Sequence, residues 1–175
     1  QIVYYFYSYM TLVNKNEIRL GESVHFTIPS GNFGNCLAGV LAKKMGLPIQ
    51  KFIVASNRNN ILTDFFRTGK YDARREFYKT NAPAMDILVS SNLERLVYMM
   101  AQESQKVKSY MDDLNQNGVY EISSDLLEKI QDVFKAGWLN EDEVLDTIKT
   151  CFEQTGYLLD THTAIGYGVY KEYQK

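Results

Sequence analysis

A short β-rich run, a glycine turn, a segment of helical period and a second β run succeed one another between residues 24 and 55. That order leaves few folds open. Val24-His25-Phe26-Thr27-Ile28 stops at Pro29, and Ser30-Gly31-Asn32-Phe33-Gly34-Asn35 follows at once. Leu37, Val40, Leu41 and Met45 then recur at helical spacing, and Gly46 with Pro48 gives a stop signal. Phe52-Ile53-Val54-Ala55 is the second strand. Strand, turn, helix and strand make a βαβ unit, which implies a parallel sheet. The expected architecture is a three-layer α/β fold in a single domain over residues 1–175.

The flanks are read from the same signals. Residues 2–13 are apolar almost throughout, which suits a buried helix or strand without deciding between them. Residues 61–89 give no clear period. Ser91 and Glu94 have capping-box spacing, and the helix they open is expected to run to about Leu114. Ser123 or Ser124 opens another, with Leu127, Ile130, Val133 and Phe134 on one face. Asn140 and Glu143 form a second box before a helix ending at Gly156, and Asp160-Thr161 caps a last one. The second half therefore reads as helical.

Composition narrows function by exclusion. The 19 Lys and Arg nearly balance 21 Asp and Glu, so a polybasic nucleic-acid binder is not indicated. Two cysteines, Cys36 and Cys151, make neither a disulfide framework nor a cysteine zinc site, which points to a reducing cytoplasm. Two histidines argue against a His-ligated metal centre. The apolar start is too short to span a membrane and lacks the order of a signal peptide, and Gln1 reads as a cut within a longer protein. Residues 41–80 hold 9 basic and 3 acidic residues, against 5 and 11 in 101–150. The basic stretch, just after the glycine turn, suits an anionic ligand.

A glycine turn entering a helix leaves backbone N–H groups free beside the positive end of the helix dipole, so phosphate is a natural guest. Gly31 and Gly34 let the backbone close in, Asn32 and Asn35 add amide donors, and Phe33 shields the site. An ordinary tight turn with Ser30 as N-cap explains the same residues. The Gly-Lys-Ser/Thr ending of a P-loop is missing, as is G-x-G-x-x-G spacing.

The run from Val24 to Asn35, continuing through Ala42-Lys43-Lys44-Met45-Gly46-Leu47-Pro48-Ile49, resembles the threonine synthase family. That family shows P-S/T-G-N-F-G-D/N followed by A-G-x-x-A-K-x-M-G-L-P-I. Ala55-Ser56-Asn57-Arg58-Asn59-Asn60 is similar to its A-T-N-x-N-D. Pro83-Ala84-Met85-Asp86-Ile87 and Ser90-Ser91-Asn92-Leu93-Glu94-Arg95-Leu96 match further blocks, and Asp160-Thr161-His162-Thr163-Ala164 resembles D-P-H-T-A with Thr161 in place of Pro.

The resemblance implies a pyridoxal 5'-phosphate enzyme of fold type II, the tryptophan-synthase-β class, making L-threonine and phosphate from O-phospho-L-homoserine and water. By that resemblance Gly31, Asn32, Phe33, Gly34 and Asn35 grip the cofactor phosphate. The chain is then part of the large domain. The family's Schiff-base lysine, in an F-K-D setting, lies upstream of Gln1, and its T-A-H-P-A-K-F block falls beyond Lys175, so the chain alone is expected to be inactive. Asn57, Asn59, Ser91, Asn92 and Arg95 are candidates to hold substrate or its phosphate, although caps and solvated polar groups explain them equally well. His162 is a structural or substrate-adjacent candidate. Cys36, although at a helix N-terminus, is expected to be packing. A phospholyase that releases a ketoacid shares these features, and a non-catalytic phosphate-binding module is the reading from a different class. Self-association through the apolar first segment is a further expectation.

Overall fold

The computed structural model of the chain describes residues 1–174. Helix α1 (Ile2–Asn14) precedes β1 (Val24–Pro29), and α2 (Gly34–Lys44) carries the chain across to β2 (Ile49–Ser56). The two strands are parallel neighbours, Phe26 opposite Phe52 and Ile28 opposite Val54. On the other side of β2 lies β5 (Phe134–Trp138), also parallel, with Phe134 opposite Phe52. The sheet order is β1-β2-β5, the parallel α/β sheet expected from the βαβ reading.

Side chains alternate along β2, so Phe52 and Val54 face one side while Ile53 and Ala55 face the other. Phe52 and Val54 join Tyr5, Leu37, Val40, Phe65, Leu96 and Phe134 in one core. Ile53 and Ala55 join Leu139, Val144, Ile165 and Val169 of the segment holding α7 (Glu141–Thr155) and α8 (Thr161–Tyr173) in a second. A parallel strand buried on both faces carries an unbroken apolar run, as this one does. The result is three layers.

Between β2 and β5 the chain builds α3 (Ile61–Thr68), the short antiparallel pair β3 (Lys70–Asp72) and β4 (Val119–Glu121), a 3₁₀ turn at Pro83–Met85, then α4 (Leu93–Ala101), α5 (Ser104–Asn117) and α6 (Ser124–Gln131). Several details depart from the sequence reading. The helix expected from Ser91 to Leu114 breaks after Ala101, where Gln102 turns left-handed at φ 56°. The Ser91–Glu94 box does not form: Asn92 is the N-cap, and the Ser91 hydroxyl bonds to Asn32 instead. Phe134, assigned to a helix face with Leu127 and Ile130, opens β5; an apolar run this short fits either period. The Asn140–Glu143 box does form, with N–H···O bonds of 2.9 and 2.7 Å. The undecided first segment is helical, with Tyr5 and Tyr9 buried and Val3, Tyr4, Tyr7 and Met10 exposed. Among the described residues no helix is long and apolar enough to cross a membrane.

Candidate functional site

The carboxyl ends of parallel strands are where an α/β sheet offers a crevice to ligands, and the turn at residues 30–35 stands at the end of β1. Ser30 is not the helix cap. Its N–H continues the ladder to Ala55 O at 2.9 Å, and the N-cap is Phe33, in the left-handed region at φ 64° and ψ 2°. No side chain caps α2. Among the described residues, the backbone N–H groups of residues 31–35 find no hydrogen-bond partner. Five donors are thus left at the positive end of an eleven-residue helix.

A bulky residue in a left-handed conformation needs an anchor, and the Phe33 ring supplies it. It is 1% exposed and packs 5.7 Å from Phe66 and 5.9 Å from Phe134, centroid to centroid. The ring is therefore in the core and does not shield the turn; what Phe33 offers a ligand is its N–H. Gly31 is required by close approach. A Cβ there would stand 2.9 Å from Ile87 Cγ2 and 3.1 Å from Met85 Cα.

Two braces fix the turn from outside. The Ser91 N–H and hydroxyl both donate to Asn32 Oδ1, and Asn92 Nδ2 donates to the Asn32 carbonyl at 3.0 Å. With its oxygen committed, the Asn32 amide has its NH₂ end left for a ligand. On the other flank the Tyr5 hydroxyl reaches Asn35 O at 2.9 Å and Asn35 Oδ1 at 3.0 Å. Burial pushes the Tyr5 hydroxyl pKa up, so it stays protonated as the donor. Beneath the turn, burial pushes the fully enclosed Cys36 thiol up to about 12, and it serves as packing.

The structure brings Ser91 and Asn92 to the turn, but places Asn57 and Asn59 in a separate, closed network. Asn57 Nδ2 donates to Asp86 Oδ1 (2.7 Å) and Thr80 Oγ1 (2.9 Å), while Asn57 Oδ1 accepts from the Asn59 N–H. Asn59 Nδ2 donates to Tyr78 O and Asp86 Oδ1, and its oxygen accepts from the Tyr78 N–H. Both asparagines are nearly inaccessible, and their amides are spent on pinning residues 78–86 to the end of β2. Of the hub of this knot, Asp86 belonged to the matched block Pro83–Ile87 without a role assigned to it, and Thr80, just before that block, carried no pattern in the sequence. Tyr5, inside a featureless apolar run, gave no signal either.

Arg95 lies in the first turn of α4 with an exposed side chain. Most of the other cations of residues 41–80 are occupied away from it. Arg74 and Arg75 pair with Asp72 and Asp64 at 2.8 and 2.9 Å, Arg58 stacks on the Tyr78 ring, and the Lys43 and Lys51 ammonium groups donate to the carbonyls of Ile49 and Asp132. Most of the basic stretch is thus spent on structure, and the donors at the turn itself are its backbone N–H groups and the Asn32 amide. The donor set is nonetheless of the right kind for a phosphate: free N–H groups on five consecutive residues, an amide NH₂ held by its other end, and, among the described residues, no carboxylate bonded to the turn.

No protein-family model matches the chain. Human threonine synthase-like 1 is 46% identical over 167 residues, covering 94% of this chain and 22% of that protein. Threonine synthase of Saccharomyces cerevisiae is 38% identical over 180 residues, 95% of this chain and 34% of its own length. Among solved structures, the pyridoxal-phosphate-bound threonine synthase of Brucella melitensis is 40% identical with a TM-score of 0.92, over 98% of this chain and 36% of that one. The yeast threonine synthase structure is 36% identical with a TM-score of 0.91, again over 98% and 36%. The chain therefore spans about a fifth to a third of the length of the relatives it matches.

Proposed function

We infer, from the premise that this chain belongs with the threonine synthases as a segment of one, that its turn at Gly31–Asn35 holds the phosphate of pyridoxal 5'-phosphate in the parent enzyme. The parent reaction is the conversion of O-phospho-L-homoserine and water into L-threonine and phosphate. The observation that carries this reading is the set of unpartnered N–H groups of residues 31–35 at the uncapped start of α2. When bound, the cofactor supplies an electron sink for carbanion chemistry. What these residues do is bind and orient. Gly31, Phe33, Gly34 and Asn35 present N–H donors, Asn32 adds its NH₂, and Ser91 and Asn92 fix Asn32. Arg95, at the adjoining α4 N-terminus, is proposed to face the substrate's phosphate.

The reactive lysine is proposed to come from outside these residues. Lys43 and Lys44 close the far end of α2, and Lys51 is engaged with Asp132. The exposed apolar side of α1 is proposed to be covered by the rest of the parent, and in isolation to drive self-association. A monomeric mass by light scattering across a dilution series counts against that. The two buried free cysteines fit a reducing compartment such as the cytoplasm.

The test is made on the parent-length protein: product analysis from O-phospho-L-homoserine, with the visible absorbance of bound cofactor recorded beside it. Threonine and phosphate in equal amounts, lost together with the absorbance on Asn32→Asp, are expected. A ketoacid in place of threonine replaces this reading with the phospholyase, and absence of cofactor absorbance removes the phosphate-holding role.

A further inference from the structure

The glycine turn rests on the 3₁₀ turn Pro83–Met85, and that turn is held at both ends. On one side Asp86 accepts from Asn57, Asn59, the Thr80 N–H (2.9 Å) and the Thr80 hydroxyl (2.8 Å). On the other, the Ala84 N–H donates to His162 Nε2 at 3.3 Å. His162 stands in the first turn of α8, whose cap Asp160 accepts the His162 and Thr163 N–H groups at 2.9 and 3.1 Å. Its other ring nitrogen, Nδ1, lies 3.5 Å from Asp160 Oδ1. Nε2 accepts only in the neutral ring, with the proton on Nδ1 facing the carboxylate.

We propose that His162 is a positioning residue for the anion-holding turn, acting through Ala84 and Met85 on Gly31, and that protonation of Nε2 releases this hold. The mechanism is steric. Gly31 packs closely on the 3₁₀ turn, since Met85 Cα and Ala84 O lie 3.1 and 3.4 Å from where a Gly31 Cβ would stand; a shift of the turn toward Gly31 displaces it, and a shift away removes the wall it rests on. A protonated Nε2 turns an acceptor into a donor facing the Ala84 N–H, and two donors repel. The charged group facing the imidazole is Asp160, on its own helix. Pro83, Ala84 and Met85 present no titratable side chain, and the Asp86 carboxylate is turned to Asn57, Asn59 and Thr80. The proposal rests on the phosphate-holding reading for its functional meaning, but its physical content is the coupling from His162 to Gly31.

The two are separated by experiment on this chain. Nitrogen-15 NMR follows His162 Nε2 and the amides of Ala84, Gly31 and Phe33 across a range of pH. The expected result is one shared midpoint for all four in the wild type. His162→Gln keeps an acceptor near the Nε2 position but cannot titrate, and it should leave the Ala84, Gly31 and Phe33 signals flat over that range. In parallel, inorganic phosphate is titrated at pH 7.5. Loss of the acceptor in His162→Phe should weaken binding about three- to ten-fold, the effect of one hydrogen bond, and His162→Gln should restore it. Gly31 and Phe33 signals that ignore the His162 midpoint, or that still titrate in His162→Gln, overturn the proposal. If phosphate does not bind the wild type, the phosphate-holding reading fails while the NMR arm still decides the coupling. A circular dichroism spectrum matching wild type establishes that His162→Phe is folded; if it is not, the wild-type and His162→Gln titrations decide.

Discussion

The Ser91 N–H and hydroxyl converge on a single atom, Asn32 Oδ1, at 2.8 and 2.7 Å. Two donors on one oxygen orient the amide, and the orientation tells which half of Asn32 faces a ligand. An Asn32→Asp variant keeps an acceptor for Ser91 and replaces the free NH₂ by a carboxylate oxygen. Phosphate affinity should fall at least about ten-fold, from a lost donor and an added repulsion together, while thermal stability stays close to wild type. Titration of inorganic phosphate and a melting curve on the same preparation check both halves. A large loss of stability with Asn32→Asp would assign Asn32 to the fold alone.

Phe33 combines a left-handed backbone with a buried ring, and the two can be separated. Phe33→Ala removes the ring and keeps the backbone penalty, costing about 3–5 kcal/mol. Phe33→Gly removes both, and should be less destabilising than Phe33→Ala by about 1–2 kcal/mol. Urea denaturation of the two variants measures the difference. Equal stabilities would mean that the αL conformation at residue 33 costs nothing.

Asp160 caps α8 and, through the Thr163 hydroxyl first, then the Thr163 and His162 N–H groups, its carboxyl is held below the usual range. A lowered folded-state pKa stabilises the fold above the unfolded value of about 3.9 and is lost as pH falls through the folded value. Stability should therefore decline in that acid window, and Asp160→Ala should remove both that dependence and about 0.5–2 kcal/mol at neutral pH. Denaturation from pH 2 to 7 on both proteins reads this directly.

Cys36 lies in the first turn of α2, a position that ordinarily lowers a thiol's pKa, yet burial dominates and pushes it up to about 12. At pH 8 a disulfide reagent should label it only as fast as the protein opens, and at once in denaturant. Mass spectrometry of the labelled peptide distinguishes it from Cys151. Rapid labelling of Cys36 in the folded chain would show an accessible thiolate at the turn.

How far the sequence carried this reading depended on whether a pattern was local. The βαβ unit was legible because its strands, turn and stop signals sit in one continuous stretch, and the Asn140–Glu143 box because its partners are three residues apart. Ser91 shows the opposite. Its spacing to Glu94 is that of a cap, but the Asn32 oxygen, 59 residues away, takes the hydroxyl. Asn57 and Asn59 have the residue type of ligand donors, and only the folded chain shows that Asp86, Thr80 and Tyr78 consume them. Strand β5 was hidden for the same reason: Phe134 is a strand residue because Phe52 lies beside it, and no window of sequence contains both.

At Gly39 a Cβ would stand 2.7 Å from Phe52 and 2.8 Å from Tyr5. Helices α1 and α2 therefore touch where the second has no side chain, and it is this contact that sets Tyr5 within reach of Asn35. A methyl group added at residue 39, in the second turn of α2, acts as a spacer between the two helices. It withdraws the Tyr5 hydroxyl and frees the Asn35 amide to swing. The gap left by one missing carbon is thus the tolerance to which the brace between Tyr5 and Asn35 is machined.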